Sequence, residues 1–166
     1  MRYAGLKLND VGNGTGMTVS FWTQGCPHRC KGCHNPETWD FSGGMEYDSS
    51  VVDKILEAIP KNGIMRNFSI LGGEPLATAN LDIVEEVVSA VRHAFPSIHI
   101  YLWTGYTLEN IMENSRVMSI LSKVDTLIDG KFIEEKKNLN LLLRGSSNQR
   151  VIDLKTVLNK DGNLTI

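Results

Sequence analysis

Cysteine is scarce in this chain of 166 residues: there are three, and all fall between positions 26 and 33. An odd number of thiols crowded into one short stretch excludes a disulfide framework and points to metal binding in a reducing compartment. An excess of charge of one sign is also missing. Seventeen Lys and Arg against nineteen Asp and Glu leave a formal charge of -2 with no polybasic run, so nothing electrostatic calls for nucleic acid or a membrane surface as partner. No apolar run approaches the length of a bilayer span, and Met1-Arg2-Tyr3-Ala4-Gly5 lacks the apolar segment of a secretory signal. A cytoplasmic protein is expected, and the Asn-x-Ser/Thr triplets at Asn13, Asn67 and Asn163 are then incidental, because glycan addition needs the secretory route. Repeats, low-complexity tracts and linkers are absent too, which predicts one domain over 1–166.

What is present is a rhythm of strands and helices. Met17–Thr23 is β-branched and aromatic and reads as the first core strand. The preceding Gly12-Asn13-Gly14-Thr15-Gly16 fails as a phosphate loop, since no Lys-Ser/Thr follows and it leads into a strand, so it is a turned connection. Asp48-Ser49-Ser50 opens a helix with Val51, Val52, Ile55, Leu56 and Ile59 on one face, ended by Pro60 and Gly63. Phe68–Leu71 is a second buried strand. From Asn80 a longer helix buries Leu81, Val84, Val87, Val88 and Val91 and stops before Pro96. Ile98–Trp103 is the third strand, Thr107 caps a short helix carrying Leu108, Ile111 and Met112, and Val124–Ile128 is the fourth strand. Val151–Leu158 fits strand or helix by spacing, with a strand favoured at Val151–Leu154. Such alternation predicts parallel strands with helical crossovers, an open sheet or partial barrel whose working residues sit beyond the carboxyl ends of the strands. The three tryptophans, Trp22, Trp39 and Trp103, are expected in the core.

Cys26-x3-Cys30-x2-Cys33 can place three thiolates around one centre that is left a ligand short of four, as suits a centre that acts on a small molecule. Soft thiolates select zinc or an iron-sulfur cluster, and a zinc ion would take its fourth ligand from His28, His34, His93 or His99.

The string Gln24-Gly25-Cys26-Pro27-His28-Arg29-Cys30-Lys31-Gly32-Cys33-His34-Asn35-Pro36 resembles the cysteine motif of the radical S-adenosylmethionine (SAM) enzymes, in the branch that activates anaerobic ribonucleotide reductase. The likeness continues through Gly72-Gly73-Glu74-Pro75-Leu76, Trp103-Thr104-Gly105-Tyr106, Asp129-Gly130-Lys131-Phe132 and Arg144-Gly145-Ser146-Ser147-Asn148-Gln149-Arg150. It implies an incomplete, TIM-like (β/α) barrel and a [4Fe-4S] cluster on Cys26, Cys30 and Cys33, whose fourth iron binds SAM. It also implies a reductive cleavage of SAM that yields a 5'-deoxyadenosyl radical. By the same resemblance Gly72 and Gly73 hold the methionine amino group with Glu74 as its negative partner. Thr104 lines the ribose or methionine side, the backbone of Gly32, Cys33 and His34 meets adenine, and Asp129 and Lys131 lie near the cofactor or the bound protein. Many family members carry an aromatic residue where Gly32 stands. The implied partners are the large glycyl-radical subunit of the anaerobic ribonucleoside-triphosphate reductase and a low-potential electron donor such as flavodoxin. Another glycyl-radical partner, or a noncatalytic zinc or iron-sulfur module, are the rival readings.

Overall fold

In the computed structural model, which describes residues 1–158, the chain runs through β1 (Arg2–Asp10), β2 (Thr18–Thr23), the two-residue β3 (Met45–Glu46), α1 (Ser50–Ala58), β4 (Asn67–Gly72) and α2 (Leu81–Ala94). It continues through β5 (Ile100–Trp103), α3 (Leu108–Ile111), α4 (Ser115–Leu121), β6 (Thr126–Asp129), β7 (Arg150–Asp153) and the single turn α5 (Leu154–Val157). Asn163 lies outside the described residues. Among those residues no helix is long and apolar enough to cross a membrane.

The strands form one mixed sheet in the order β3-β1-β2-β4-β5-β6-β7. The four central strands, β2, β4, β5 and β6, run parallel as expected. At both sides the all-parallel expectation is corrected: β1 pairs antiparallel with β2 and β3, and β7 antiparallel with β6. The Val11–Met17 connection is too short for a crossover, which takes a dozen or more residues, so β1 and β2 must form a hairpin. After β6 the chain has only a 3-10 turn at Glu134–Lys136 before β7, and it returns without a crossover helix. At the C-terminal end both spacing alternatives are realised in turn, β7 passing directly into α5.

Alternation along the central strands makes the two sheet faces chemically different. Val19 and Phe21 of β2, Phe68 and Ile70 of β4, Ile100 and Leu102 of β5, and Leu127 of β6 face the helices in one core with Val51 and Ile55 of α1, Val84, Val87, Val88 and Val91 of α2, and Ile120 and Leu121 of α4. Burying side chains of this size stabilises by roughly 1.5–3 kcal/mol apiece. On the other face the paired row Ser20, Ser69, Tyr101 and Thr126 is polar and buried. Its hydroxyls are satisfied locally: Ser20 donates to Asp10 Oδ2 at 2.6 Å, Ser69 to the Asn13 carbonyl, and the Tyr101 hydroxyl accepts the Thr15 N–H at 3.2 Å. The glycine-rich turn therefore covers the base of the polar face, and Asp10 ties it down by accepting from the Gly12 N–H and from Asn13.

Asp125, just before β6, ties two helices, α2 and α5, to the sheet. Its carboxylate accepts the Ile100 N–H at 2.8 Å, Arg92 of α2 at 2.6 Å and Lys155 of α5 at 2.9 Å. Burial pushes its pKa up, but the Ile100 N–H, Lys155 and Arg92 outweigh burial and hold it below the ordinary value. A carboxylate depressed on folding contributes stability above its unfolded pKa, and that contribution is lost as pH falls through the folded one. We expect Asp125→Asn to lower the unfolding free energy at pH 7 by about 2 kcal/mol, and the gap from the native protein to narrow as pH drops below about 3.9. Urea titrations of the two apoproteins across that range measure it, and identical midpoints at pH 7 would refute it.

Candidate functional site

Because β2, β4, β5 and β6 are parallel, their carboxyl ends share one edge of the sheet, the place where α/β folds put their ligands. There the turns enclose a cavity of about 520 Å³. Cys26, Cys30, Cys33 and His34 line it from the loop after β2, Gly72, Gly73 and Glu74 from β4, Thr104 and Gly105 from β5, and Lys131 from β6. Residues spread over a hundred positions of sequence thus meet in one space. Gly32 and Asp129 are not on its wall.

The cysteine loop is closed on itself. Gly25 N–H donates to the Thr38 carbonyl at 2.7 Å, Cys26 N–H to Trp39 O at 3.1 Å, and the Gln24 amide to the carbonyls of Glu37 and Asp40. Inside this collar the Cys33 N–H donates to Cys30 O at 3.1 Å, and the chain reverses through left-handed Arg29 (φ 49°) and Gly32 (φ 77°). A Cβ on Gly32 would combine that strained φ with a 3.1 Å approach to the Glu134 carboxyl group, so no aromatic side chain fits the position unstrained.

All three thiols are free. Burial raises the Cys26 pKa despite the His28 and Arg29 N–H groups beside its sulfur, and it raises that of Cys30 despite the Phe132 N–H. Among the described residues no three His, Cys, Asp or Glu groups converge as a single ion requires. His28, the candidate fourth zinc ligand inside the loop, is bonded to Glu74 instead, and His99 bonds Thr126. A four-iron cluster takes each thiolate on a different iron, so three free thiols that share a cavity without sharing a point fit it better than they fit zinc.

Glu74 is wholly buried and saturated with donors. Oε1 accepts the Leu76 N–H at 2.9 Å and the Thr104 hydroxyl at 2.7 Å; Oε2 accepts His28 Nε2 and the Gly105 N–H, both at 2.7 Å. The side chain expected beside a methionine amino group is thus committed to the protein itself. Its own N–H donates to Gly25 O at 2.8 Å, and Asn80 donates to the carbonyls of both Gly25 and Glu74. Gly73 lies so near that a Cβ there would sit 2.5 Å from Gly25 O. The first and second motifs are therefore in backbone contact.

Asp129, expected near the cofactor or the bound protein, is buried and bonded beside α3: it accepts the Leu108 N–H at 2.8 Å and Arg150 Nε at 3.0 Å. It, and not the Thr107 side chain, satisfies the start of α3. Lys131 is exposed on the rim. The 144–150 stretch folds onto the end of β6, with Gln149 donating to Gly130 O and Asn148 to Lys131 O. The tryptophans depart from expectation, since Trp22, Trp39 and Trp103 all line the cavity. Trp22 pairs with Leu71 across the polar face, and alternation from Ser20 was the available signal that it points there.

Comparison with known proteins adds a lineage. Residues 12–152 match the family model described as a 4Fe-4S single cluster domain. The chain is 40% identical over 141 residues to the anaerobic ribonucleoside-triphosphate reductase-activating protein of Vibrio cholerae, covering 84% of this chain and 90% of that one. It is 34% identical over 147 residues to the protein of that name from Escherichia coli K12, covering 88% and 94%. The protein of the same name from Enterobacteria phage T4 is 36% identical over 153 residues, covering 91% and 93%.

Thiolate, not thiol, is the nucleophile and the metal ligand. With their pKa values raised by burial, Cys26 and Cys30 of the apoprotein should react with iodoacetamide at pH 8 more slowly than an unstructured cysteine peptide. Their rates should still climb above the ordinary thiol range of about 8.5, where the peptide levels off. Mass-spectrometric rates from pH 7 to 10 test this, and superimposable profiles would overturn it.

Proposed function

Since this chain belongs to the anaerobic ribonucleoside-triphosphate reductase-activating proteins, we propose that it activates such a reductase by radical SAM chemistry, as a single domain whose sheet corresponds to an incomplete (β/α) barrel. The observation that carries this reading is the single cavity lined by three free thiols and by the glycine-walled ends of β4 and β5. Cys26, Cys30 and Cys33 would hold a [4Fe-4S] cluster. When bound, the cluster supplies one electron to SAM, giving methionine and a 5'-deoxyadenosyl radical that takes a hydrogen atom from a glycine Cα of the reductase's large subunit.

The protein's own share is binding, orientation and exclusion of water. The backbone of Gly72 and Gly73 is open to the cavity and offers polar groups to the methionine end, while Thr104 and the backbone at Cys33 and His34 flank the remainder of the cofactor. Glu74 contributes by fixing its own turn and the Thr104-Gly105 step. Trp22, Trp39 and Trp103 supply apolar walls that help to exclude water from the cavity. Lys131, exposed at the mouth of the cavity, would meet the incoming protein. A low-potential donor such as flavodoxin and a cytoplasmic setting accord with the free thiols.

Anaerobically reconstituted protein, reduced with dithionite, should convert SAM to methionine and 5'-deoxyadenosine, and alanine at any of Cys26, Cys30 or Cys33 should abolish this, more than about a thousandfold, since the chemistry belongs to the cofactor. With the reductase added, electron paramagnetic resonance should show a glycine-centred doublet. Iron-loaded protein that leaves SAM intact would sink the proposal, and a doublet with a different glycyl-radical enzyme alone would reassign the partner.

A further inference from the structure

His28 stands two residues from Cys26 and two from Cys30 and reaches the wall of the cavity, yet it is not one of the three thiols. Its side chain is 6% exposed, its Nε2 lies 2.7 Å from a Glu74 carboxylate that is itself 1% exposed, and its ring packs edge-on against Tyr106 with centroids 4.6 Å apart. Since a carboxylate only accepts, Nε2 carries the proton of this hydrogen bond. The bond spans 46 residues and links the middle of the cysteine loop to the turn after β4.

Gly105 completes the arrangement. Its N–H donates to the same Glu74 oxygen that His28 uses, and a Cβ on it would lie 2.4 Å from His28 Cδ2 and 2.6 Å from Nε2. Glycine here is the condition for the imidazole to reach the carboxylate. The loop's outer collar, at Gly25, Cys26 and Thr38–Trp39, would hold the ends of the loop without His28; its backbone bonds do not reach the residues between Cys26 and Cys30, where the Arg29 guanidinium lies 5.6 Å from the centre of the Trp39 ring.

We propose that His28 is a positioning residue: donating to Glu74, it fixes the Cys26–Cys30 segment before any metal arrives, so that the thiols are presented by a preformed loop. The claim extends the functional reading, on which it rests for the identity of the group held, to a residue pair that acts in the apoprotein. Preorganisation of this kind lowers the ordering cost of ligation and slows release.

In the apoprotein, His28→Leu should raise the alkylation rate of buried Cys26 by about tenfold, the opening expected when a hydrogen bond to a charged group is lost. His28→Gln, which keeps an N–H donor, should stay much closer to native. Gly105→Ala should mimic His28→Leu by displacing the ring, and Gly105→Ala combined with His28→Ala should be no worse than His28→Ala alone, because both act through one bond. After reconstitution, iron release to a chelator should quicken in the same order. Native Cys26 reactivity in folded His28→Leu protein, judged by near-ultraviolet circular dichroism, would overturn the proposal, as would additive effects of the two alanine substitutions. If His28→Leu does not fold, an unchanged rate in folded Gly105→Ala protein refutes it by itself. The apoprotein rates do not depend on a cluster, so a chain that shows this pattern but binds no iron would fail the functional reading and leave His28 in its positioning role.

Discussion

Withdrawing a carboxylate from water costs several kcal/mol unless its lone pairs are met by donors of good geometry. At Glu74 they are met by four, contributed by His28 of the cysteine loop, Leu76 of its own turn, and Thr104 and Gly105 beyond β5. None of those donors is a neighbour in sequence except Leu76. The parallel strands bring the segments to the same edge, but the strands alone leave the turns free to splay; it is the shared acceptor that draws them to a common depth. Once the carboxylate is buried, every segment that supplies a donor is held to it by the desolvation it would otherwise expose.

Close backbone approach works in the same direction. Gly73 meets Gly25 where a methyl group would strike a carbonyl oxygen, and Asn80 bridges the carbonyls of Gly25 and Glu74. That asparagine sits where a helix cap is expected, at the head of α2, yet its side chain makes no capping bond and faces the site. A residue type chosen for capping at the level of local sequence has been taken over by the tertiary network.

How much was legible in the chain follows from the same physics. The central strands and the two longer helices stand out because their apolar periodicity is strong, and the strand-end motifs stand out because glycine runs interrupt that periodicity. β1 escapes notice: Tyr3, Leu6 and Leu8 alternate imperfectly with Gly5, Lys7 and Asn9, and its register slips between Tyr3 and Gly5. α4 escapes because Val117, Met118, Ile120 and Leu121 crowd into barely two turns, although Asn114 accepts from the Arg116 and Val117 N–H groups as a regular cap. The direction of a buried carboxylate cannot be read from spacing, which is why Asp129 belongs to α3 and Arg150, and Glu74 to its donors. Trp22 and Trp103 mislead for a related reason, since an aromatic on a strand reads as core until one knows that its face of the sheet has no helices over it, whereas Trp39 stands in the loop after the 3-10 turn Pro36–Thr38.

The division of the sheet into an oily side and a hydroxyl-lined side has a bearing on transplantation. An engineer who grafts the eight residues from Cys26 to Cys33 onto another α/β scaffold would move the thiols and leave behind what shapes them. The smallest portable unit is discontinuous: it comprises the loop, the Gly73-Glu74 turn, the Thr104-Gly105 step and Asn80, and it requires a recipient whose adjacent parallel strands end level with one another.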